Sequence, residues 1–192
     1  MNRFLEIFLS AMFVENVVLM RFLALCPFIG MSQDVKKSMG MGYAVLFVTI
    51  LATAVTYPIY RYLLFPLKLE FLQTLIFILV IASLVQLVEF YLKKAAPALY
   101  ASMGVYLALI TTNCAILAVT LDAISKGYSF LEALTYAIGS ALGFMLSLVL
   151  LAGLRNRVDV APVPKALKGA PILFITAAIL SMAFSGFASL VG

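Results

Sequence analysis

The sequence contains no histidine and only two cysteines among its 192 residues. Redox or metal chemistry that relies on thiolate ligands must therefore use Cys26 and Cys114. Two ligands make half of a four-coordinate site, so a second chain would have to bring the rest. Charge is also scarce. Asp, Glu, Lys and Arg make up 11% of the chain, against 65% hydrophobic residues and a mean hydropathy of +1.16. No soluble domain of this size needs so much apolar surface, whereas an integral membrane protein surrounded by lipid does. The alternation expected of barrel strands is missing, which leaves helices as the spanning elements. No soluble domain, low-complexity tract or nucleotide-binding loop is visible. The net charge of +5 is scattered over short loops, so it bears on membrane topology and predicts no nucleic-acid partner.

Six stretches reach the roughly 20 residues that cross a bilayer: 4–25, 41–60, 71–92, 98–120, 130–153 and 171–190. They predict an all-α integral membrane protein forming one domain over residues 1–192, with half-repeats of about 1–94 and 95–192. The start of the chain bears a slight likeness to a cleaved lipoprotein signal ending at Cys26. Glu15, Asn16 and Arg21 interrupt its apolar run and Pro27 follows the cysteine, so no cleavage is expected. The first, third and fifth joints hold Lys36, Lys37, Lys93, Lys94, Arg155, Arg157, Lys165 and Lys168, whereas the other side holds Arg3, Arg61, Lys68 and Lys126. This bias predicts both termini outside the cytoplasm. The halves also echo each other. Gly42 follows Asn16 by 26 residues, and Gly139 follows Asn113 by the same interval. Three spans per half is an odd number, so such a repeat would be inverted, with its working site near the midplane between interrupted helices.

Each cysteine stands beside a residue that disturbs a helix. Pro27 disfavours helical geometry at Cys26 and lacks an amide donor, which predicts a helix ending or unwinding at Cys26. An unbroken helix from Arg3 would put Cys26 roughly 34 Å along its axis, at the far membrane face, while Cys114 lies near the middle of its own span. The two can meet only if the first span is broken, and Glu15-Asn16 is the natural place. On spacing alone, the commoner role of such cysteines is packing as small hydrophobes. Thr111-Thr112-Asn113-Cys114 could bond an unwound turn or a neighbouring helix. Glu15 and Arg21 are intramembrane ionisable residues. Arg21 reads as structural, either ion-paired or reaching to the interface. Glu15 is an ion-path candidate that a Glu15→Gln variant with full coupled transport would remove. Glu89 reads as an interfacial anchor, with Lys93 one turn on. Gly139-Ser140-Ala141-Leu142-Gly143, the pair Ser38 and Gly42, and the stripe Ser181, Ser185, Ser189 suit close helix packing.

Three segments carry a resemblance: Val14-Glu15-Asn16-Val17-Val18-Leu19, Phe22-Leu23-Ala24-Leu25-Cys26-Pro27-Phe28-Ile29-Gly30 and Leu109-Ile110-Thr111-Thr112-Asn113-Cys114-Ala115. They resemble the signature segments of the membrane-subunit family that comprises the A and E subunits of the Rnf complex and the D and E subunits of sodium-pumping NADH:quinone oxidoreductase. The likeness runs over the whole chain, including Met39-Gly40-Met41-Gly42 and the loop from Val163-Pro164 to Gly169. Cys26-Pro27-Phe28 is most similar to the A branch of Rnf. The resemblance implies six helices in two inverted three-helix repeats, with the first and fourth interrupted. It implies a subunit that relays electrons between ferredoxin and NAD while sodium or protons cross a bacterial or archaeal cytoplasmic membrane. Cys26 and Cys114 would ligate an intramembrane [2Fe–2S] cluster shared with the homologous six-helix E subunit, with Rnf B, C, D and G as further partners. No flavin attachment motif is present, so no flavin is assigned to the chain. Two alternatives stay open on the residues themselves: the quinone-reductase E subunit, and a small inverted-repeat secondary transporter whose cysteines only pack.

Overall fold

A computed structural model of the chain describes residues 2–32, 34–67, 70–95, 109–110, 112–162, 164 and 167–191. Every regular element among them is helical, as expected where a lipid-facing backbone must satisfy its own hydrogen bonds. Helix α1 (Asn2–Leu9) continues as a π-helical turn (Ser10–Val14). An irregular stretch follows, and α2 resumes at Leu25–Met31. Helix α3 (Val35–Ile59) passes through a second π turn (Tyr60–Leu64) into a last helical turn (Phe65–Leu67). Next come α4 (Gln73–Ala95), α5 (Cys114–Ser125), α6 (Phe130–Val158) and α7 (Ala170–Val191). Val35–Leu64, Gln73–Phe90 and Phe130–Val158 are long and apolar enough to cross a membrane among the described residues. The expected span 98–120 lies largely outside the described residues, which give its second part as α5.

Local chemistry sets the ends. Asp34 caps α3 by accepting the Lys36 N–H at 3.1 Å, and Ser129 with Glu132 forms a capping box at the start of α6. Pro58 cannot donate to the carbonyl four residues back, and the ladder widens into the π turn immediately after it. Three buried threonines on α3 return their hydroxyls to the helix: Thr49 to Val45 O, Thr53 to Thr49 O and Thr56 to Ala52 O. Each of these hydroxyls is satisfied without a second helix.

The centre of the fold is α6, whose Leu148, Leu151 and Ala152 are fully buried. Helix α3 packs against it in the opposite direction. Gly42 lies beside Met145, and Tyr57 meets Phe130 edge-on with ring centroids 5.6 Å apart. The first span runs the same way as α6. Arg3 pairs with Glu132 at 3.1 Å, Asn16 reaches Gly143 O and Ser147, and Arg155 donates to Ile29 O and Ser32 Oγ. Residues 2–32 therefore pass along the whole of α6 as a single broken crossing. The GxxxG glycines make its closest approach possible. A Cβ on Gly139 would lie 2.8 Å from Phe8 O, and one on Gly143 would lie 2.7 Å from Met12 O. That motif thus serves packing within the chain.

Candidate functional site

The break predicted at Glu15-Asn16 is present. The π turn ends at Val14 and helical geometry returns only at Leu25. Asn16, with no exposed surface, organises the gap. Its Nδ2 donates to Gly143 O and Ser147 Oγ, both at 2.9 Å. Its Oδ1 accepts from Val18 N at 3.1 Å and Leu19 N at 3.3 Å. Ser181 of α7 closes the other side by donating to Leu19 O. Further on, Phe22 and Ala24 adopt left-handed backbone with φ of 53° and 58°, at a cost of roughly 1–2 kcal/mol each.

The expectation that the helix ends at Cys26 is overturned. Leu25 begins α2, so Cys26 and Pro27 lie in its first turn. A first-turn amide has no acceptor within its own helix, so proline loses nothing there and its fixed φ suits the start. The proline launches a helix where its effect on the preceding residue suggested a stop. Cys114 is likewise the first residue of α5, and Asn113 caps that helix by accepting the Ala115 N–H at 3.0 Å.

The two starts meet. The Ala24 N–H donates to Cys114 Sγ at 2.8 Å. Cys26 follows Ala24 by two residues, which limits the separation of their Cα atoms to about 7 Å. The separation that an unbroken first helix would impose is thus removed by the break. Both cysteines are exposed free thiols. Among the described residues no group of three or more Cys, His, Asp or Glu side chains is placed to hold a metal ion, and the two thiols are the soft groups that could hold one here. Their surroundings suit an electron-rich sulfur centre. One sulfur already takes a backbone amide, and Nδ2 of the preceding residue, Asn113, is buried with no hydrogen-bond partner among the described residues. A buried donor without an acceptor is costly, and sulfide or thiolate would supply one.

Four charged side chains tie the break to α5. Glu15 pairs with Lys126, and Arg21 with Asp122. Between them the hydroxyl of Tyr136 lies 3.5 Å from Glu15 and 3.4 Å from Asp122, while Lys126 sits 4.8 Å over the Tyr136 ring. Arg21 therefore has the structural pairing expected of it, and Glu15 is committed to a lysine. Sequence reasoning missed Asp122, Lys126 and Tyr136. The available signal was the four-residue spacing of Asp122 and Lys126, which puts both on one face of an apolar helix. Thr112 is exposed, and Thr111 lies outside the described residues.

The model of the family described as "Rnf-Nqr subunit, membrane protein" matches residues 4–191. The chain is 52% identical over 184 residues to the A subunit of the Na(+)-translocating ferredoxin:NAD(+) oxidoreductase complex of Acetobacterium woodii, covering 96% of each. It is 51% identical to the A subunit of the ion-translocating oxidoreductase complex of Syntrophotalea carbinolica, over 100% of this chain and 99% of that one. Identity to the Vibrio vulnificus protein of the same name is 44%, with both chains fully covered. With a family match from end to end and relatives aligned over its whole length, this multi-pass chain belongs to the Rnf-Nqr family of membrane subunits.

Proposed function

We propose that this chain is the A-type membrane subunit of an Rnf ion-translocating ferredoxin:NAD oxidoreductase complex. Cys26 and Cys114 would hold half of an intramembrane [2Fe–2S] cluster, and the homologous six-helix E subunit would hold the other half. The observation that carries this reading is the meeting of the two helix starts, where Ala24 N–H reaches Cys114 Sγ at 2.8 Å. Four thiolates suit a [2Fe–2S] cluster, and exposed thiols on two chains can complete such a set at an interface. The cluster would supply one-electron transfer through the low-dielectric interior.

The residues around it have separable duties. The Ala24 amide would hold the Cys114 sulfur. Asn113 would offer its unused Nδ2 to an electron-rich acceptor and so tune the site. The pairs Glu15–Lys126 and Arg21–Asp122 would fix the position of the break against α5. The first span and α5 run in opposite directions, since Glu15 lies by Lys126 and Ala24 by Cys114. This supports two inverted halves with interrupted first and fourth helices. Rnf B, C, D and G would complete the complex in a bacterial or archaeal cytoplasmic membrane, with both termini of this chain outside the cytoplasm. Sodium or protons would be the ion moved.

The test is electron paramagnetic resonance with iron analysis on the purified complex, comparing wild type with Cys26→Ser and Cys114→Ser. The expected result is loss of one reduced [2Fe–2S] signal and of electron transfer, with subunit composition intact. An unchanged signal with normal electron flow would return both cysteines to packing.

A further inference from the structure

Away from the cysteines, a cavity of about 320 Å³ opens between the end of α3 and the turn that precedes α6. Its walls include Tyr57, Tyr60, Arg61, Phe65, Gly127 and Tyr128. Val35–Leu64 is a continuous helical run of 30 residues, about 45 Å long at 1.5 Å per residue. A hydrocarbon core is roughly 30 Å thick, so the run is longer than the core, and its last turns, with Arg61 and the tyrosines, suit the level of the lipid headgroups. A cluster of tyrosines is at home there, with rings in the apolar boundary and hydroxyls toward the polar side.

The backbone is shaped at this spot. The π turn Tyr60–Leu64 follows Pro58 and carries both Tyr60 and Arg61, and such turns gather at functional positions. Tyr57 donates its hydroxyl to Tyr128 O at 3.0 Å, which fixes one wall. Gly127 has a φ of 65° and allows the turn to close. Arg61 is exposed and has no ion-pair partner among the described residues. Among those residues no acidic side chain lines the cavity, so nothing there would greet the amine of a zwitterionic headgroup. Beside it, Tyr62 and Phe65 expose large apolar surfaces at 80% and 65%, along which acyl chains can lie.

We propose that this cavity is a binding site for the phosphate of an anionic phospholipid, gripped by the Arg61 guanidinium with Tyr60 as a further donor. The fork of an arginine matches two phosphate oxygens at once. The site is separate from the cysteines, so its failure would leave the electron-relay reading untouched.

The test uses the intact complex in nanodiscs of mixed phosphatidylglycerol and phosphatidylethanolamine, released for native mass spectrometry. Wild type should retain one more phosphatidylglycerol than Arg61→Gln, whose retention at this site should be about tenfold weaker. Arg61→Lys, which keeps the charge without the fork, should fall between them. Subunit composition confirms that each variant is assembled. Equal phosphatidylglycerol retention by wild type and Arg61→Gln would overturn the proposal, as would equal preference for phosphatidylethanolamine. Displacement of the retained lipid by millimolar inorganic phosphate would mark a soluble-anion site and overturn the lipid assignment.

Discussion

Truncating Asn16 to alanine should damage the break more than any other single change to a neutral side chain. The side chain is fully buried. Its loss removes the acceptor for the Val18 and Leu19 amides, which have no other partner among the described hydrogen bonds. Both residues are 1% exposed, so water cannot replace it. Gly143 O and Ser147 Oγ suffer less, because they also bond each other. Two orphaned buried donors cost about 1–3 kcal/mol each, or roughly 2–6 kcal/mol together. A chain of this size loses roughly 2–4 °C of melting temperature per kcal/mol, so the assembled complex should unfold at least about 4 °C lower. Asn16→Asp keeps an acceptor for the two amides but replaces the donor by an anionic oxygen facing Gly143 O, so exchange at the two amides, and not melting, separates the two halves of the role. Hydrogen exchange read by mass spectrometry should quicken at Val18 and Leu19 in Asn16→Ala and stay near wild type in Asn16→Asp. Equal exchange in all three proteins, or an alanine variant melting with the wild type, would refute this account of the break.

Three more outcomes follow from the same geometry. Gly143→Ala would drive a Cβ to 2.7 Å from Met12 O and 3.2 Å from Asn16 Nδ2. Backbone cannot step aside cheaply, so stability measured by thermal unfolding should fall by about 1–3 kcal/mol. Arg21→Gln should destabilise more than Asp122→Asn. Removing the arginine strands a carboxylate that is 20% exposed, whereas the arginine left by the second change is 44% exposed and long enough to reach a polar boundary. A double variant that melts like Asp122→Asn alone would agree with this, and equal single effects would not. Asn113→Asp preserves the α5 cap and replaces the unused Nδ2 donor by an anion. A redox titration of the complex should show a lower midpoint potential for the proposed cluster, and an unchanged potential would remove Asn113 from its surroundings.

Much of this site can be read in the chain, because membrane physics leaves few options. A polar Glu15-Asn16 pair inside an apolar span must satisfy freed backbone, and Asn16 does so at Val18 and Leu19. The requirement that Cys26 and Cys114 can meet only across a break follows from helix rise alone. The consequence of Pro27 is harder to read, because proline both stops and starts helices. Which it does depends on the backbone before it, here the left-handed Phe22 and Ala24. Neither residue type announces that conformation. The pairings Glu15–Lys126 and Arg21–Asp122 join residues 111 and 101 positions apart, and only the fold chooses among such partners. Glycine spacing foretold close packing, but its object, the first crossing of the same chain, appears only once α1 lies along α6.

The four charged side chains around Tyr136 are two anions and two cations. Their sum bears on how the break responds to an energised membrane. A transmembrane voltage does work on net charge, roughly 2.3 kcal/mol per elementary charge for each 100 mV crossed. A quartet that sums to zero feels no net pull, so the segment beside the cysteines keeps its place while the field across the membrane rises and falls. Removing any one member would leave a unit charge at the break and make its position a function of voltage.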